Sequence, residues 1–284
     1  MSNTLILNSS NVIGSNNNTY QYNFIGGAFH AKNCELAVGS LTIPYSWFNI
    51  TQAYNNQTFT IAFPYGAGLS YSMAITLPPG FYLISDINNY VQLQCYNLGL
   101  YLLNAGTPTY YFYIAPNATY YSVEIVLSLV PTTLPTGYTL PASGYWSGTG
   151  LPTATKTPTF TLASSGSISP LIGFAAGLYG PSTSTSLSFN STFIPIGSTV
   201  NGLVMRCSLV NNNIATPSDI IDGVPINSTF GSNITYDPSF EKFVKIRDGI
   251  YSSMVITFTD QNLNTLYAQD PNMLLTLLIK QIKS

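Results

Sequence analysis

The sequence predicts an all-β protein, a β-sandwich or jelly roll, and three observations lead to this prediction. Short runs of alternating apolar and polar residues recur along the 284 residues, and turn residues separate them. Residues that favour strands are abundant, with 21 Tyr and 13% aromatic residues. Charged residues make up only 6%, against roughly 25% in ordinary globular proteins, whereas the hydrophobic share is an ordinary 45%. The chain can therefore bury a core, and all-β chains of this length often form one domain.

The first strands are indicated by alternation that ends at turn residues. Residues 20–24 alternate aromatic and polar side chains and stop at Gly26-Gly27. Residues 34–45 form a longer predicted strand with a proline near its end, where a missing N–H is tolerated. Residues 59–63 alternate again, and residues 70–77 end at a Pro-Pro-Gly turn. These segments predict four strands in the first third of the chain.

One helix is predicted, over residues 85–98. Ser85 can cap its first turn, and Asp86 favours the positive end of the helix dipole. Ile87 and Val91 recur at helical spacing, and Cys95 lies four residues after Val91. We therefore expect Cys95 to share their buried face as a packed thiol rather than a reactive one.

The middle of the chain combines a hairpin with an irregular stretch. Residues 109–130 predict two strands around a turn at Asn117-Ala118. Residues 131–158 are rich in Pro, Thr, Gly and Ser and almost uncharged, which indicates a long loop or part of an insertion. They lack the apolar periodicity that a separate core would need, so no second domain is predicted here.

The β pattern resumes after Phe160 and continues to the C-terminus. Residues 171–174 are a short apolar element, and residues 202–210 and 253–259 predict strands. Residues 273–282 are almost continuously apolar, which fits a strand covered on both faces or a short helix. The neighbouring strand and turn favour a strand.

Composition also bears on the class of function. Cys34, Cys95 and Cys207 are odd in number and far apart, which predicts reduced thiols rather than a disulfide framework. The N-terminus lacks the pattern of a signal peptide, and no run of apolar residues is long enough to span a membrane. With 8 Lys and Arg against 10 Asp and Glu, no basic patch predicts binding to nucleic acid.

Residues able to carry catalysis are few. His30 is the one histidine, and a surface or capping role is favoured for it over a catalytic one. No serine stands in a GxSxG motif, and no cysteine or histidine has the spacing of metal ligands. Asp219 and Asp222 are the closest acid pair outside the charged cluster, but Asp222-Gly223 is typical of a turn. Asp260 and Asp270 likewise flank predicted turns. We therefore predict no catalytic, cofactor-binding or metal-binding residue, and a protein that is not an enzyme.

One charged cluster stands out in this sparsely charged chain. Its members lie between positions 237 and 248 and carry both signs: Asp237, Glu241, Lys242, Lys245, Arg247 and Asp248. The cluster fits either a solvated segment or a strip of salt bridges between subunits. The first is favoured, since exposed ion pairs contribute little.

Four segments in this order resemble a known family. They are YSWFNIT at 45–51 with the strand that begins at Phe59, LPPGFY at 77–82 before the helix, LIGF at 171–174, and the C-terminal pair ITFTDQNLNTL and DPNMLLTLLIK. Together they resemble the minor capsid (penton) proteins of virophages, polinton-like viruses and related large double-stranded DNA viruses. The resemblance runs from about residue 20 to residue 280.

This resemblance implies a fold, a role and partners. The fold would be a single jelly roll of two four-stranded antiparallel sheets over residues 20–284, with residues 104–158 as the candidate insertion. Residues 1–19, which are polar, would be a flexible arm that orders on assembly. The protein would form homopentamers at the fivefold vertices of an icosahedral capsid, in the virion, beside double jelly-roll major capsid proteins and other minor capsid proteins. No cofactor, nucleic acid or membrane would be involved.

Two other classes of function remain open from the sequence. A secreted β-sandwich adhesin or carbohydrate-binding module would use exposed aromatic residues to stack on sugars, and Trp146 is the candidate, although it fits a loop anchor better. A β-rich glycoside hydrolase would need two opposed carboxyl groups, for which Asp219 and Asp222 are the candidates.

Overall fold

The computed structural model describes residues 2–180 and 183–282, and it is built mainly from antiparallel strands. The all-β class is thereby confirmed. The strands are, in chain order, β1 (Ser2–Asn8), β2 (Val12–Ile13), β3 (Thr19–Asn23), β4 (Phe29–Ala31), β5 (Cys34–Pro44), β6 (Asn56–Tyr65), β7 (Leu69–Thr76), β8 (Leu102–Asn104), β9 (Thr107–Thr109), β10 (Phe112–Asn117), β11 (Ser122–Leu127), β12 (Tyr138–Thr139), β13 (Thr159–Leu162), β14 (Gly166–Ser167), β15 (Gly177–Tyr179), β16 (Leu187–Asn190), β17 (Gly202–Cys207), β18 (Ile220–Pro225), β19 (Asn233–Tyr236), β20 (Val244–Lys245), β21 (Gly249–Tyr251), β22 (Ser253–Asp260) and β23 (Leu274–Gln281). The helices are α1 (Ile84–Leu98), α2 (Tyr145–Gly148) and α3 (Ser169–Ile172), with a 3-10 turn at Ser9–Asn11.

The chain divides into two compact units. The terminal unit comprises Met1–Phe48 and Val200–Ser284, and the central unit comprises Asn49–Thr199. In sequence, the central unit is therefore an insertion between β5 and β17. The candidate insertion predicted at 104–158 lies inside it and is much shorter. The difference arises because the strands from β6 onward have the same alternation as those of the terminal unit, so local pattern does not mark the boundary.

The terminal unit contains two large antiparallel sheets. The first has the order β1-β23-β5-β19, with β20 also pairing with β5, and the second has the order β18-β17-β22-β3-β2. A two-stranded ribbon of β4 and β21 completes the unit. Numbered along the chain, the eight strands of the two four-stranded paths (β1, β3, β5, β17, β18, β19, β22 and β23) have the orders 1-8-3-6 and 5-4-7-2. The first and last strands are thus neighbours, although the whole chain lies between them.

Each of these sheets buries one face. Along β22 and β23, buried and more exposed residues alternate, as they do in a sheet with one face on a core. In β5 the buried residues step from Val38 to Leu41, an odd interval that would move Leu41 to the opposite face. A bulge at Gly39, where the register with β23 shifts, restores the inward direction. A side chain at Gly39 would lie 3.3 Å from Thr276, so the bulge favours glycine.

The central unit has its own core, built around α1 and three small sheets. The sheets have the orders β14-β6-β13-β15 with β7 on β6, β10-β11-β16, and β12-β8-β9. The helix packs through Ile87, Val91 and Cys95, as the spacing predicted, and Cys95 is buried. The predicted cap is wrong: Leu83 precedes the first helical residue, and Ser85 lies inside the first turn. Asp86 accepts a hydrogen bond from the Leu83 N–H instead, at 2.9 Å.

Most of the predicted strands are confirmed. Residues 20–24, 34–45, 59–63 and 70–77 correspond to β3, β5, β6 and β7, and the hairpin at 109–130 contains β10 and β11. The apolar C-terminal segment is a strand, β23. The element at 171–174 belongs to a short helix, α3, and residues 131–158 contain the short elements β12 and α2.

The described part of the segment predicted as a flexible arm, residues 1–19, includes the strands β1 and β2. In the structure β1 pairs with β23 over seven residues, from Ser2 opposite Lys280 to Asn8 opposite Leu274. Leu5 and Leu7 are buried, so β1 contributes to the core despite its many polar residues. The sequence hides this strand because only these two side chains face inward. That the segment orders on assembly stays a prediction.

Candidate assembly surface and reactive residues

His30 lies on the β4–β21 ribbon with its side chain exposed. It pairs in register with Ile250, and its neighbour Ala31 is buried. The sequence interpretation of a surface histidine therefore agrees with its place in the structure.

The two acids of the candidate pair have different partners. Arg206 binds Asp219, with 2.8 Å between Nη2 and Oδ2. Asp222 accepts a hydrogen bond from the Tyr236 hydroxyl at 2.6 Å and from the Lys242 ammonium at 2.9 Å. Burial first, and then this hydrogen bond, raises the pKa of Tyr236. Each carboxylate is thus held by partners of its own within the terminal unit.

Two of the predicted turns are confirmed and one is wrong. Asp260 accepts hydrogen bonds from the backbone N–H groups of Asn262 and Asn264, and Asp270 accepts one from Asn272, each at 2.8 Å. These side chains close turns by the usual aspartate geometry. Asp222-Gly223, however, lies within β18, where a bulge shifts the register with β17.

Trp146 is fully buried in the core of the central unit. Its indole N–H donates to the Pro64 carbonyl at 3.1 Å, and its ring packs edge-on against Tyr111 at 5.4 Å between centroids. It is therefore the anchor of its loop, and it is not available to stack on a sugar. Trp146, the residue that suggested a sugar-binding adhesin, is therefore not an exposed ring.

The three cysteines are all buried, and none is in a disulfide. Burial raises the pKa of Cys95 to about 12 and that of Cys207 to about 11. Because a raised thiol pKa keeps the sulfur protonated, the nucleophilic thiolate is scarce at neutral or mildly alkaline pH.

We expect the native protein to resist alkylation at these two cysteines. At pH 8, iodoacetamide should label Cys95 and Cys207 at least about 100-fold more slowly than it labels them in the urea-unfolded chain, because the thiols are both protonated and inaccessible. Peptide mass spectrometry over a time course measures each site separately. Rapid labelling of either residue in the native protein would contradict the burial described here.

Charge is distributed unevenly between the two units. Only Asp86, Glu124 and Lys156 among the charged residues of the sequence fall within the central unit, whose range covers more than half of the chain. The charged cluster at 237–248 belongs to the terminal unit, and all six of its members are exposed, as expected of a solvated segment. Within it, Lys242 pairs with Asp222, and Asp248 accepts a hydrogen bond from the Asn33 N–H.

The terminal unit displays large apolar side chains to solvent. Ile25 is 92% exposed beside the Gly26-Gly27 turn, and Ile214 is 97% exposed in the loop between β17 and β18. Ile250, 68% exposed, lies on the ribbon next to His30, and Phe240 is exposed in the charged segment. Single exposed apolar residues are common on protein surfaces, whereas contiguous apolar patches mark sites of contact with another molecule. No sequence signal marks these residues, because the residue type alone does not distinguish an isoleucine in an exposed loop from one in the core.

A second group of exposed apolar side chains lies in the central unit. Phe193, Ile194 and Ile196 are exposed, and backbone hydrogen bonds hold their segment against α3, from Phe193 to Gly173 at 3.0 Å and from Ile196 to Pro170 at 3.1 Å. The neighbouring Pro195 lines an apolar cleft of about 270 Å³. The segment is thus held in place while its side chains face water, an arrangement that favours association.

Among the residues that the structure describes, no three His, Cys, Asp or Glu side chains come together in a way that could hold a metal ion. No helix in the same residues has the length and apolar character needed to cross a membrane.

Solved structures similar to this chain come from viruses, whereas no protein-family model and no curated protein matches it. The chain is similar to the mavirus penton protein, known from a crystal structure, with a TM-score of 0.45 and 11% identity, over 99% of this chain and 100% of that one. It is also similar to a chain of the Sputnik virophage structure determined by cryo-EM, with a TM-score of 0.38 and 11% identity, over 98% and 97% of the two chains. The family that the sequence resembles likewise consists of penton proteins of virophages and related viruses. At TM-scores below 0.5, however, the role of this chain has to follow from its own strand order and surface.

Proposed function

We propose that the protein is a structural subunit of a virus particle, a penton (minor capsid) protein that forms homopentamers at the fivefold vertices. Its partners would be further copies of itself, the double jelly-roll major capsid protein and other minor capsid proteins. It would act in the virion, be assembled inside the host cell, and carry out no catalysis.

The observation that carries this proposal is the strand order of the terminal unit. Two antiparallel sheets contain four-stranded paths with the orders 1-8-3-6 and 5-4-7-2, and the first and last strands are paired. A jelly roll winds eight strands into two sheets in this way, through two Greek keys, and it is a recurrent fold of viral capsid subunits. We infer that the terminal unit is a jelly roll and that the central unit is inserted between its third and fourth strands.

The surface supports an assembling subunit. A ring of five copies needs two different complementary faces on each subunit. Ile25, Ile214 and Ile250 provide apolar side chains that would be buried in such contacts. The formal net charge of the whole chain is only −2, which gives little repulsion between copies.

The native mass of the purified protein tests the proposal. We expect native mass spectrometry to show a species of five times the 30.7 kDa chain, alone or after mixing with the major capsid protein, and negative-stain images to show five-membered rings. The double variant Ile25→Asp, Ile250→Asp should shift the population to monomers, because buried unpaired charges oppose the contact. The matched control Leu134→Asp, at an exposed position of the central unit, should leave it unchanged. A protein that stays monomeric and never enters particles formed with the major capsid protein would refute the proposal.

A further inference from the structure

A shallow cleft lies at the C-terminal end of α1 in the central unit. Its volume is about 360 Å³, and it is lined by Asn97 and Leu98 from the helix and by Gly144, Tyr145 and Thr149 around α2. No charged residue is among these five. The cleft is independent of the surfaces proposed above for assembly.

Two glycines make the cleft rigid. Gly99 and Gly144 have φ values of 64° and 112°, and their backbones approach so closely that a Cβ on Gly99 would lie 2.3 Å from the Ser143 carbonyl oxygen. The backbone N–H of Trp146 donates to the Gly99 carbonyl at 3.3 Å, and this hydrogen bond holds α2 against the end of α1. Because Trp146 is itself anchored in the core, the walls are preformed, as they are in most small-molecule sites.

One wall is an aromatic ring held by two others. Tyr145 packs against Tyr71 with centroids 4.3 Å apart and against Tyr65 at 5.1 Å. On α1, Tyr96, the residue before Asn97, is 51% exposed and stacks on Tyr101 with 4.8 Å between ring centroids. Tyrosine offers an apolar face with a hydroxyl at its edge, and holding it in place by packing lowers the entropy lost on binding a ligand.

Both walls offer hydrogen-bonding groups that are free. Asn97 on α1 and Thr149 at the end of α2 have exposed side chains, which make no hydrogen bond to any described residue. An amide gives two donors and an acceptor, and a hydroxyl gives a donor and two lone pairs. A ligand here would meet a tyrosine ring together with neutral donors and acceptors.

We propose that this cleft binds a neutral saccharide. A sugar ring has an apolar C–H face, which suits Tyr145, and a rim of hydroxyl groups, which suits Asn97 and Thr149. None of the five residues that line the cleft is charged, so the lining offers no cation to hold a phosphate or a sialic acid carboxylate. The aromatic residue proposed to contact the sugar is thus Tyr145 and not its buried neighbour Trp146. Binding at this cleft does not depend on assembly of the terminal unit.

Saturation-transfer NMR on the full chain tests the site. The probes are neutral oligosaccharides built from hexoses, N-acetylhexosamines, deoxyhexoses or pentoses, with a sialylated oligosaccharide as the charged comparison. We expect at least one neutral probe to bind with a Kd at or below the millimolar range, and the sialylated form of that probe to bind at least about tenfold more weakly.

Variants on both walls separate binding from folding. Tyr145→Ala should weaken binding at least about tenfold, and Asn97→Ala and Thr149→Ala about threefold to tenfold each, since each removes one hydrogen-bonding group. Asn97 and Thr149 are exposed, so their variants should fold normally even if Tyr145→Ala does not. Tyr120→Ala, a distant exposed tyrosine, should bind as the natural protein does. Absence of binding to every neutral probe at a concentration of about 10 mM, at which even very weak binding is detectable, would overturn the proposal. So would binding that the Asn97→Ala, Thr149→Ala double variant leaves unchanged.

Discussion

Replacing Leu7 by alanine is expected to lower the free energy of unfolding of the terminal unit by about 2–5 kcal/mol, the usual cost of such a cavity. Leu7 is fully buried on β1, the first strand of the chain, and pairs in register with Leu275 on β23. Urea unfolding of a Trp146→Phe background, in which Trp47 of the terminal unit is the remaining tryptophan, followed by fluorescence, measures the effect.

Ile6→Ala is the matched control for this substitution. Ile6 is the adjacent residue of the same strand, but its side chain faces solvent and is 54% exposed. Its replacement should therefore change stability by less than about 0.5–1 kcal/mol. If Leu7→Ala and Ile6→Ala had the same small effect, β1 would not be packed in the isolated subunit. That result would favour the arm predicted from the sequence, which orders on assembly.

Replacing Trp146 by alanine is expected to cost about 3–5 kcal/mol in the central unit. The substitution removes a fully buried indole, its hydrogen bond to the Pro64 carbonyl and its contact with Tyr111. Thermal unfolding followed by far-UV circular dichroism measures the loss. Trp47 remains in the variant as a fluorescent probe of the terminal unit.

Trp146→Phe and Tyr120→Ala complete this comparison. Phenylalanine keeps an aromatic ring but leaves the buried Pro64 carbonyl without its donor, so an intermediate loss of about 1–3 kcal/mol is expected. Tyr120 is exposed on the turn between β10 and β11, and its replacement should have little effect on stability. A Trp146→Ala variant as stable as Tyr120→Ala would mean that the 131–158 stretch is not anchored in the core. Trp146 would then again be a candidate exposed aromatic residue for binding a sugar.

The sequence alone does not reveal how residues 131–158 pack. Their Pro, Thr, Gly and Ser residues have no periodicity, so the sequence indicated a loop. The tertiary structure places one large residue of this stretch, Trp146, in a core built by other elements. A single anchor leaves no pattern in the sequence, because its partners Pro64 and Tyr111 lie far away along the chain.

The reactive residues were easier to predict. Cys95 was expected on the buried face of a helix because it follows Val91 by four residues, and it lies there. His30 was expected at the surface and is exposed. Asp222, by contrast, was interpreted as a turn residue, and it lies in a bulged strand where Tyr236 and Lys242 bind it. Asp-Gly is only a statistical signal for a turn, and strand pairing outweighs it here.

The sequence by itself determined the all-β class, most of the strands, the helix at α1 and the scarcity of charge. These properties depend on residues close together in the chain, because strand alternation and helical spacing are local patterns. Only the tertiary structure decided that β1 pairs with β23, that β5 and β17 are separated by a whole compact unit, and that Ile25 and Ile214 face water while Trp146 does not. Each of these depends on contacts between distant segments, and alternation specifies which face of a strand is buried but not which strand lies beside it.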